Sequence, residues 1–215
     1  APAQTAGTDH MTWLVVVLLC LVPAPGWAAV DCEALDSMSD ASGFAVGKHK
    51  SSFWLFVESF ANNVTIYTDL DTNNRVRLMN TNTIGLVVPF STTNTVRTCT
   101  NDTLKIDTWY HIAIEYEATG TAANHHIYVD GLECGYQTDQ DGSGIGIISL
   151  PPVTFVLCDG ADIRIEEFAY WSTTNAFSAK HLDVLSSGRA RYLPFMFPTN
   201  LSVVYPLDDT PIGET

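Results

Sequence analysis

Trp109-Tyr110-His111-Ile112-Ala113-Ile114-Glu115-Tyr116-Glu117 is the stretch whose reading decides the fold. Tyr110, Ile112, Ile114 and Tyr116 share one parity, and His111, Ala113, Glu115 and Glu117 share the other. A period of two over nine residues is that of a β-strand, because successive Cβ atoms point to opposite faces. The first set is expected to face a core and the second to face solvent, the arrangement of antiparallel sheets with one wet side.

The same punctuation runs outward in both directions. Short runs rich in β-branched and aromatic residues predict strands over Phe53–Phe60, Val64–Leu70, Arg75–Asn80, Ile84–Val88, Thr95–Cys99, His125–Val129, Gly146–Ser149, Thr154–Leu157 and Ile163–Trp171. Asp71-Thr72-Asn73-Asn74 and Asp130-Gly131 read as hairpin turns, since Asn, Asp and Gly tolerate positive φ. Ile163 and Ile165 are out of phase with Phe168 and Tyr170, so a bulge is expected near Glu166-Glu167, unless that strand is buried on both sides. A single short helix is predicted after Ser178, its N-cap, with Leu182 and Leu185 spaced i, i+3, Phe177 placed to staple onto Leu182, and Gly188 to end it.

The chain has 215 residues, of which 46% are hydrophobic, which is enough for one sizeable core. Acidic residues outnumber basic ones 24 to 10, for a formal charge of −14. That field repels phosphate backbones and anionic lipid surfaces, so nucleic-acid binding is excluded as a leading reading. Met11 opens an apolar run, Trp13 to Val22, of about ten residues, too short for the ~20 that span a bilayer. Followed by Gly26-Trp27-Ala28-Ala29, it reads as a signal peptide, although no Lys or Arg precedes it. Residues 1–28 are therefore assigned to upstream sequence and leader, with no membrane insertion once the leader is removed, and the mature chain is expected to be secreted or displayed at a cell surface.

Four cysteines then remain: Cys32, Cys99, Cys134 and Cys158. In an exported chain an even number reads as two disulfides with three connectivities. Cys99 with Cys134, and Cys32 with Cys158, is the favoured set, since the first two sit near the ends of strands. Asn63, Asn101 and Asn200 each open an N-glycosylation sequon, a short pattern that also arises by chance.

Three segments carry a family resemblance. Asp107-Thr108-Trp109-Tyr110-His111-Ile112-Ala113-Ile114, then His126-Ile127-Tyr128-Val129-Asp130-Gly131, then Ile165-Glu166-Glu167-Phe168-Ala169-Tyr170-Trp171 leading into Phe177–Leu185, occur in order and spacing. Together they resemble the concanavalin A-like lectin/glucanase superfamily and, within it, the laminin-G-like jelly rolls. The resemblance implies an all-β, two-sheet antiparallel jelly-roll sandwich with one short C-terminal helix over residues 29–192. Residues 193–215 would form a linker or the start of a following module, because Tyr205-Pro206-Leu207-Asp208-Asp209 resembles the opening of one. The match is poor over Asp31–Lys50, and a cysteine, Cys158, stands where the family often has glycine.

The hydrolase branch of that superfamily flanks the scissile bond with two carboxylates on one strand. Here Ala161 stands where the leading Glu would be, and Arg164 separates the remaining acids, so no catalytic residue is assigned. Glu115 and Glu117 fall on the expected solvent face, where a hydrophilic surface accounts for them. Adjacent His125 and His126 point to opposite faces and cannot share a metal. Asp69, Asp71 and Asn73 have the alternate spacing that lets oxygens converge on calcium, the one cofactor the sequence raises, though a solvated polar turn is the commoner outcome of such a pattern. Trp171 and Tyr136 are the candidate platforms for a sugar ring. The leading functional reading is a non-catalytic extracellular binding module for a glycan or a surface protein. The alternative is a structural or adhesive repeat of a larger cell-surface or virion protein, with a glycoside hydrolase below both.

Overall fold

The computed structural model describes residues 30–32, 38–40, 48–60, 64–69, 75–79, 81–117, 119–145, 155–159, 162–172, 176–187 and 201–205. In chain order the strands are β1 (Val30–Cys32), β2 (Met38–Asp40), β3 (Lys48–Val57), β4 (Val64–Asp69), β5 (Arg75–Met79), β6 (Thr83–Val88) and β7 (Thr95–Cys99). There follow β8 (Thr108–Glu117), β9 (His126–Val129), β10 (Leu132–Glu133), β11 (Tyr136–Gln140), β12 (Phe155–Asp159), β13 (Ile163–Ser172), the helix α1 (Ala179–Ser186) and β14 (Leu201–Tyr205). A short 3-10 turn covers Ala122–Asn124.

All pairings are antiparallel and build two seven-stranded sheets. The first runs β1-β13-β3-β8-β9-β10, with β14 on the β1 side of β13. The second runs β11-β7-β6-β5-β4-β12-β2. The expected two-sheet sandwich with one short helix is the fold observed. Leu201–Tyr205, inside the stretch read as a linker or following module, pairs along Phe168–Trp171 and so extends the first sheet.

Alternation explains the core. Phe53, Leu55 and Val57 of β3, Ile112 and Ile114 of β8, and Ile163 and Ile165 of β13 are fully buried, and they face Val76, Leu78, Ile84 and Leu86 of the second sheet. Tyr67 from the second sheet meets Phe53 and Phe168 edge-on, with centroids 6.0 and 5.6 Å away. Its buried hydroxyl shares a 2.7 Å hydrogen bond with Ser51, which satisfies a polar atom that would otherwise be stranded in the core.

Two irregularities set the register. The β4 ladder slips between Thr65 and Tyr67, so Ile66 and Tyr67 both enter the core. The β13 ladder slips between Glu166 and Ala169, and Glu167 takes φ +51°. Of the two outcomes that the phase change between Ile165 and Phe168 left open, the bulge is the one observed. Asp130 (φ +50°) and Gly131 (φ +80°) form the tight β9–β10 turn. Asp130 Oδ1 also accepts from the His111 amide at 2.8 Å and ties the turn to β8.

Cys99 and Cys134 form a disulfide with a Cα separation of 5.6 Å. It joins the end of β7 in one sheet to the β10–β11 connection leaving the other, so it pins the two sheets together. The side chains of Cys32 and Cys158, on β1 and β12, lie outside the described residues, as do the Asp71–Asn74 turn, the Gly146–Ser149 strand and Gly188. Ser178 caps α1 as expected, its hydroxyl accepting from the His181 amide while His181 Nδ1 accepts from the Ser178 amide.

Candidate ligand-binding face

The outer surface of the first sheet departs from the expectation of a wet face. His111, Ala113 and Glu115 of β8 are 1%, 0% and 8% exposed. What covers this end is the segment leading into α1. The Phe177 ring stands edge-on to Trp171 at 5.7 Å and to Tyr128 at 6.3 Å, and the Lys50 ammonium lies 4.6 Å from its centroid. The Phe177 amide donates to the Glu115 carboxylate, and Lys50 is the cross-strand partner of Glu115. Burial holds the Lys50 pKa below its usual value, and the Glu115 charge opposes that shift. Phe177 therefore packs on the sheet. Small residues Ser52, Ala113 and Ala169 follow along the same face, in register across β3, β8 and β13.

Further along, the face opens. Outward positions on β3 carry Trp54 and Phe56, and Phe56 lies opposite Trp109 of β8. All three rings are half-buried. Phe56 and Trp109 have centroids 5.3 Å apart at a 48° tilt, and Trp54 stands edge-on to His111 at 5.4 Å. Arg164 of β13, the cross-strand partner of Phe56, holds its guanidinium 5.4 Å from the Phe56 centroid. The same guanidinium pairs with Glu58 at 2.6 Å. Glu166 is the cross-strand partner of Trp54. Three aromatic rings with a charged pair at their edge thus occupy the middle strands of the sheet, which hold them rigidly.

Beneath Trp54, Ser52 Oγ and His111 Nε2 share a 2.8 Å hydrogen bond. Desolvation lowers the His111 pKa to about 4, so the ring is neutral near pH 7. Both side chains are 1% exposed, and His111 Nδ1 has no hydrogen-bond partner among the described residues. A hydroxyl shut away from solvent, beside a base that no acid orients, lacks the parts of an acyl-transfer site. The pair lies on the same outward face as Trp54, with His111 directly across the ladder from it. Among the described residues no group of three or more His, Cys, Asp or Glu is placed to hold a metal ion.

Trp171 and Tyr136, the two rings singled out from sequence, lie on different sheets. Trp171 is 4% exposed and packs under Phe177, so neither ring face is free to take a sugar. Tyr136 sits in the other sheet beside the disulfide, half-buried, with the Arg97 guanidinium 3.5 Å from its centroid. Its hydroxyl donates to Glu133 at 2.8 Å and accepts from the Ile127 amide at 3.0 Å, so its polar end is engaged within the fold. Asp69 ends β4, but its side chain, with Asp71 and Asn73, lies outside the described residues. The rings that do share a face, Trp54, Phe56 and Trp109, were within reach of the same parity argument. In Phe53-Trp54-Leu55-Phe56 both parities are apolar, which is the mark of a strand whose outer side is not plain solvent surface.

No protein-family model matches the sequence, and no curated protein matches it significantly. Solved structures do match by shape. The heptameric SAP-like pentraxin of Limulus polyphemus aligns with a TM-score of 0.51 and 13% identity over 70% of this chain and 75% of its own. What is shared is a two-sheet antiparallel β-sandwich. The ligand-binding domain of botulinum neurotoxin serotype D, solved with N-acetylneuraminic acid, aligns at 0.53 with 16% identity over 74% of this chain. A Bacteroides ovatus protein assigned to carbohydrate binding aligns at 0.54 with 18% identity over 83%. This chain spans 41% and 51% of the lengths of those two. At such identities the likeness is one of fold, and function has to be argued from the side chains.

Proposed function

We propose that this chain is a non-catalytic, exported binding module of the laminin-G-like type and that it recognises a glycan on the open end of its first sheet. The observation that carries the reading is the set of three half-buried rings, Trp54, Phe56 and Trp109, on one rigid face with Arg164 and Glu58 at their edge. Sugar rings present an apolar C–H face and a hydroxyl rim, so a site for them needs flat aromatic surface and a few placed polar groups. Two of the similar folds are described as binding sialic acid or carbohydrate, which favours the same class of ligand. The Cys99–Cys134 bond fits an oxidising, extracellular setting. Among the described residues no helix is long and apolar enough to cross a membrane.

A glycan array probed with the full chain tests this, followed by titration of each hit against Trp109→Ala and Phe56→Ala. Binding that falls at least about tenfold in either variant, with the far-ultraviolet spectrum unchanged, supports the site. Hits that survive both substitutions place recognition elsewhere on the fold. Silence of the folded chain across the array overturns the glycan reading.

A further inference from the structure

We propose that Asn101 is the attachment site of an N-linked oligosaccharide. The proposal lies outside ligand recognition and rests only on the export that the functional reading above includes.

Asn101-Asp102-Thr103 has the acceptor pattern, an asparagine with a hydroxyl residue two places on. Such a pattern arises by chance, and what the fold adds is a position, an unspent nucleophile and a compartment. The position comes from the backbone. After β7 ends at Cys99, the chain crosses from the second sheet toward β8 of the first. The Thr100 amide donates to the Gly135 carbonyl at 2.8 Å, the Asp102 amide to the Thr81 carbonyl at 3.0 Å, and the Leu104 amide to the Asn82 carbonyl at 2.9 Å. Leu104 is 1% exposed and anchors the far side of the turn. Asp102 takes φ +59°, a left-handed conformation that Asp tolerates in turns. Backbone bonds thus hold both flanks against the fold while Asn101 itself is exposed. A bulky, hydrated sugar on that residue stays in water.

The nucleophile is the side-chain amide. Asn82 spends its amide on Asp102 at 3.4 Å, and Asn124 spends its own on Thr119 at 3.1 Å. Asn101 makes no side-chain hydrogen bond among the described residues. The compartment is marked by Cys99, two residues earlier, which is bonded to Cys134. Disulfides form where exported chains fold, in the ER lumen among other oxidising sites, and glycosylation of secreted chains uses the same route.

The step needs an oligosaccharide donor carried on a polyisoprenyl pyrophosphate. Asn101 Nδ2 attacks C1 of the first sugar; the N–C1 bond forms and the C1–O bond breaks. Pyrophosphate leaves with the electron pair, and the amide gives up one of its two protons. In the folded chain the Thr103 hydroxyl donates to the Thr100 carbonyl. The acceptor is therefore the exported chain before this turn closes, and the folded turn then leaves the product exposed.

The full chain is secreted from a eukaryotic cell line, reduced, digested with trypsin and treated with a peptide N-glycosidase in heavy-oxygen water, which converts each glycosylated asparagine to labelled aspartate. Cleavage after Arg97 and Lys105 releases Thr98–Lys105, which carries Asn101 apart from Asn63 and Asn200. The expected result is label on that peptide, lost in Asn101→Gln and in Thr103→Ala and retained in Thr103→Ser. Secreted chain whose Thr98–Lys105 peptide is unlabelled overturns the proposal and leaves the export reading standing, whatever Asn63 and Asn200 carry. Chain held in the cytosol with Cys99 and Cys134 as thiols overturns both. The wild-type peptide decides between these outcomes by itself, so a variant that fails to fold does not leave the question open.

Discussion

The guanidinium of Arg97 lies flat against Tyr136, 3.5 Å from the ring centroid, although Arg97 is only 8% exposed. It points inward from β7, donates to the carbonyls of Ala123 and His125, and reaches Asp139 at 3.5 Å. Two carbonyls that accept from Nη1, a nearby carboxylate and an aromatic face replace part of the water that this buried arginine gives up. The 3-10 turn that leads into β9 is thereby hung from the opposite sheet.

Removing that cation should be costly. Arg97→Met keeps the bulk but strips donors from two carbonyls, and a loss of about 2–3 kcal/mol is expected. Arg97→Lys should lose less, because one donor survives while the planar stack does not. Urea denaturation of the three proteins measures both. Equal stability of wild type and Arg97→Met would show that the turn is held by other means.

The disulfide closes a loop with a sequence separation of 35, and chain entropy alone makes it worth about 4 kcal/mol. Cys99→Ser/Cys134→Ser is expected to unfold at lower urea by roughly 2–4 kcal/mol. Reductant should reproduce the shift in wild type and leave the double variant unmoved.

Gly131 carries φ +80°, and a Cβ there would come within 2.8 Å of Ser186 Oγ at the end of α1. Gly131→Ala should cost about 1–2 kcal/mol, part from the backbone and part from that contact. Adding Ser186→Ala should return the contact part only, a coupling visible in a double-mutant cycle. Full additivity would mean that the helix end does not seat on the turn.

Acid should destabilise the fold through two buried histidines. His111 and His125 are 1% and 0% exposed, and burial lowers each pKa to about 4, against about 6.5 in an unfolded chain. The unfolded state binds protons first, so their contribution is complete above pH 6.5 and is lost as pH falls toward 4. On the order of 2 kcal/mol per histidine should be gone by pH 5. His111→Gln should flatten the stability profile between those limits. An unchanged slope in that variant would remove His111 from the account.

Much of the sandwich was written in periodicity. Tyr110 to Tyr116 declared their buried face, and the clash of phase between Ile165 and Phe168 announced the bulge. The edge strand Tyr136–Gln140 carries no such mark, because Gln137, Asp139 and Gln140 stay exposed and it is held by backbone pairing and by Cys134 next to it. The burial of His111 and Glu115 was hidden for a different reason. Alternation tells which residues share a face, but Glu115 is met by Phe177, 62 positions away, and His111 by Ser52 and Trp54 from the neighbouring strand. Trp171, one of the two candidate platforms, is buried and packs edge-on against Phe177. Parity marks the outward rings of β3, but only the pairing of Phe56 with Trp109 sets them beside the ring on β8.

The slip in β13 has a bearing on how this surface can diversify. Arg164 and Glu166 lie before the bulge and edge the open rings, whereas Ala169 and Trp171 lie after it, under the segment that ends at α1. A left-handed residue, Glu167, lies between the two halves of the strand. Under the proposed reading, substitutions ahead of Glu167 alter the rim of the rings, and substitutions after it alter the seat of the helix, so the two can drift at separate rates.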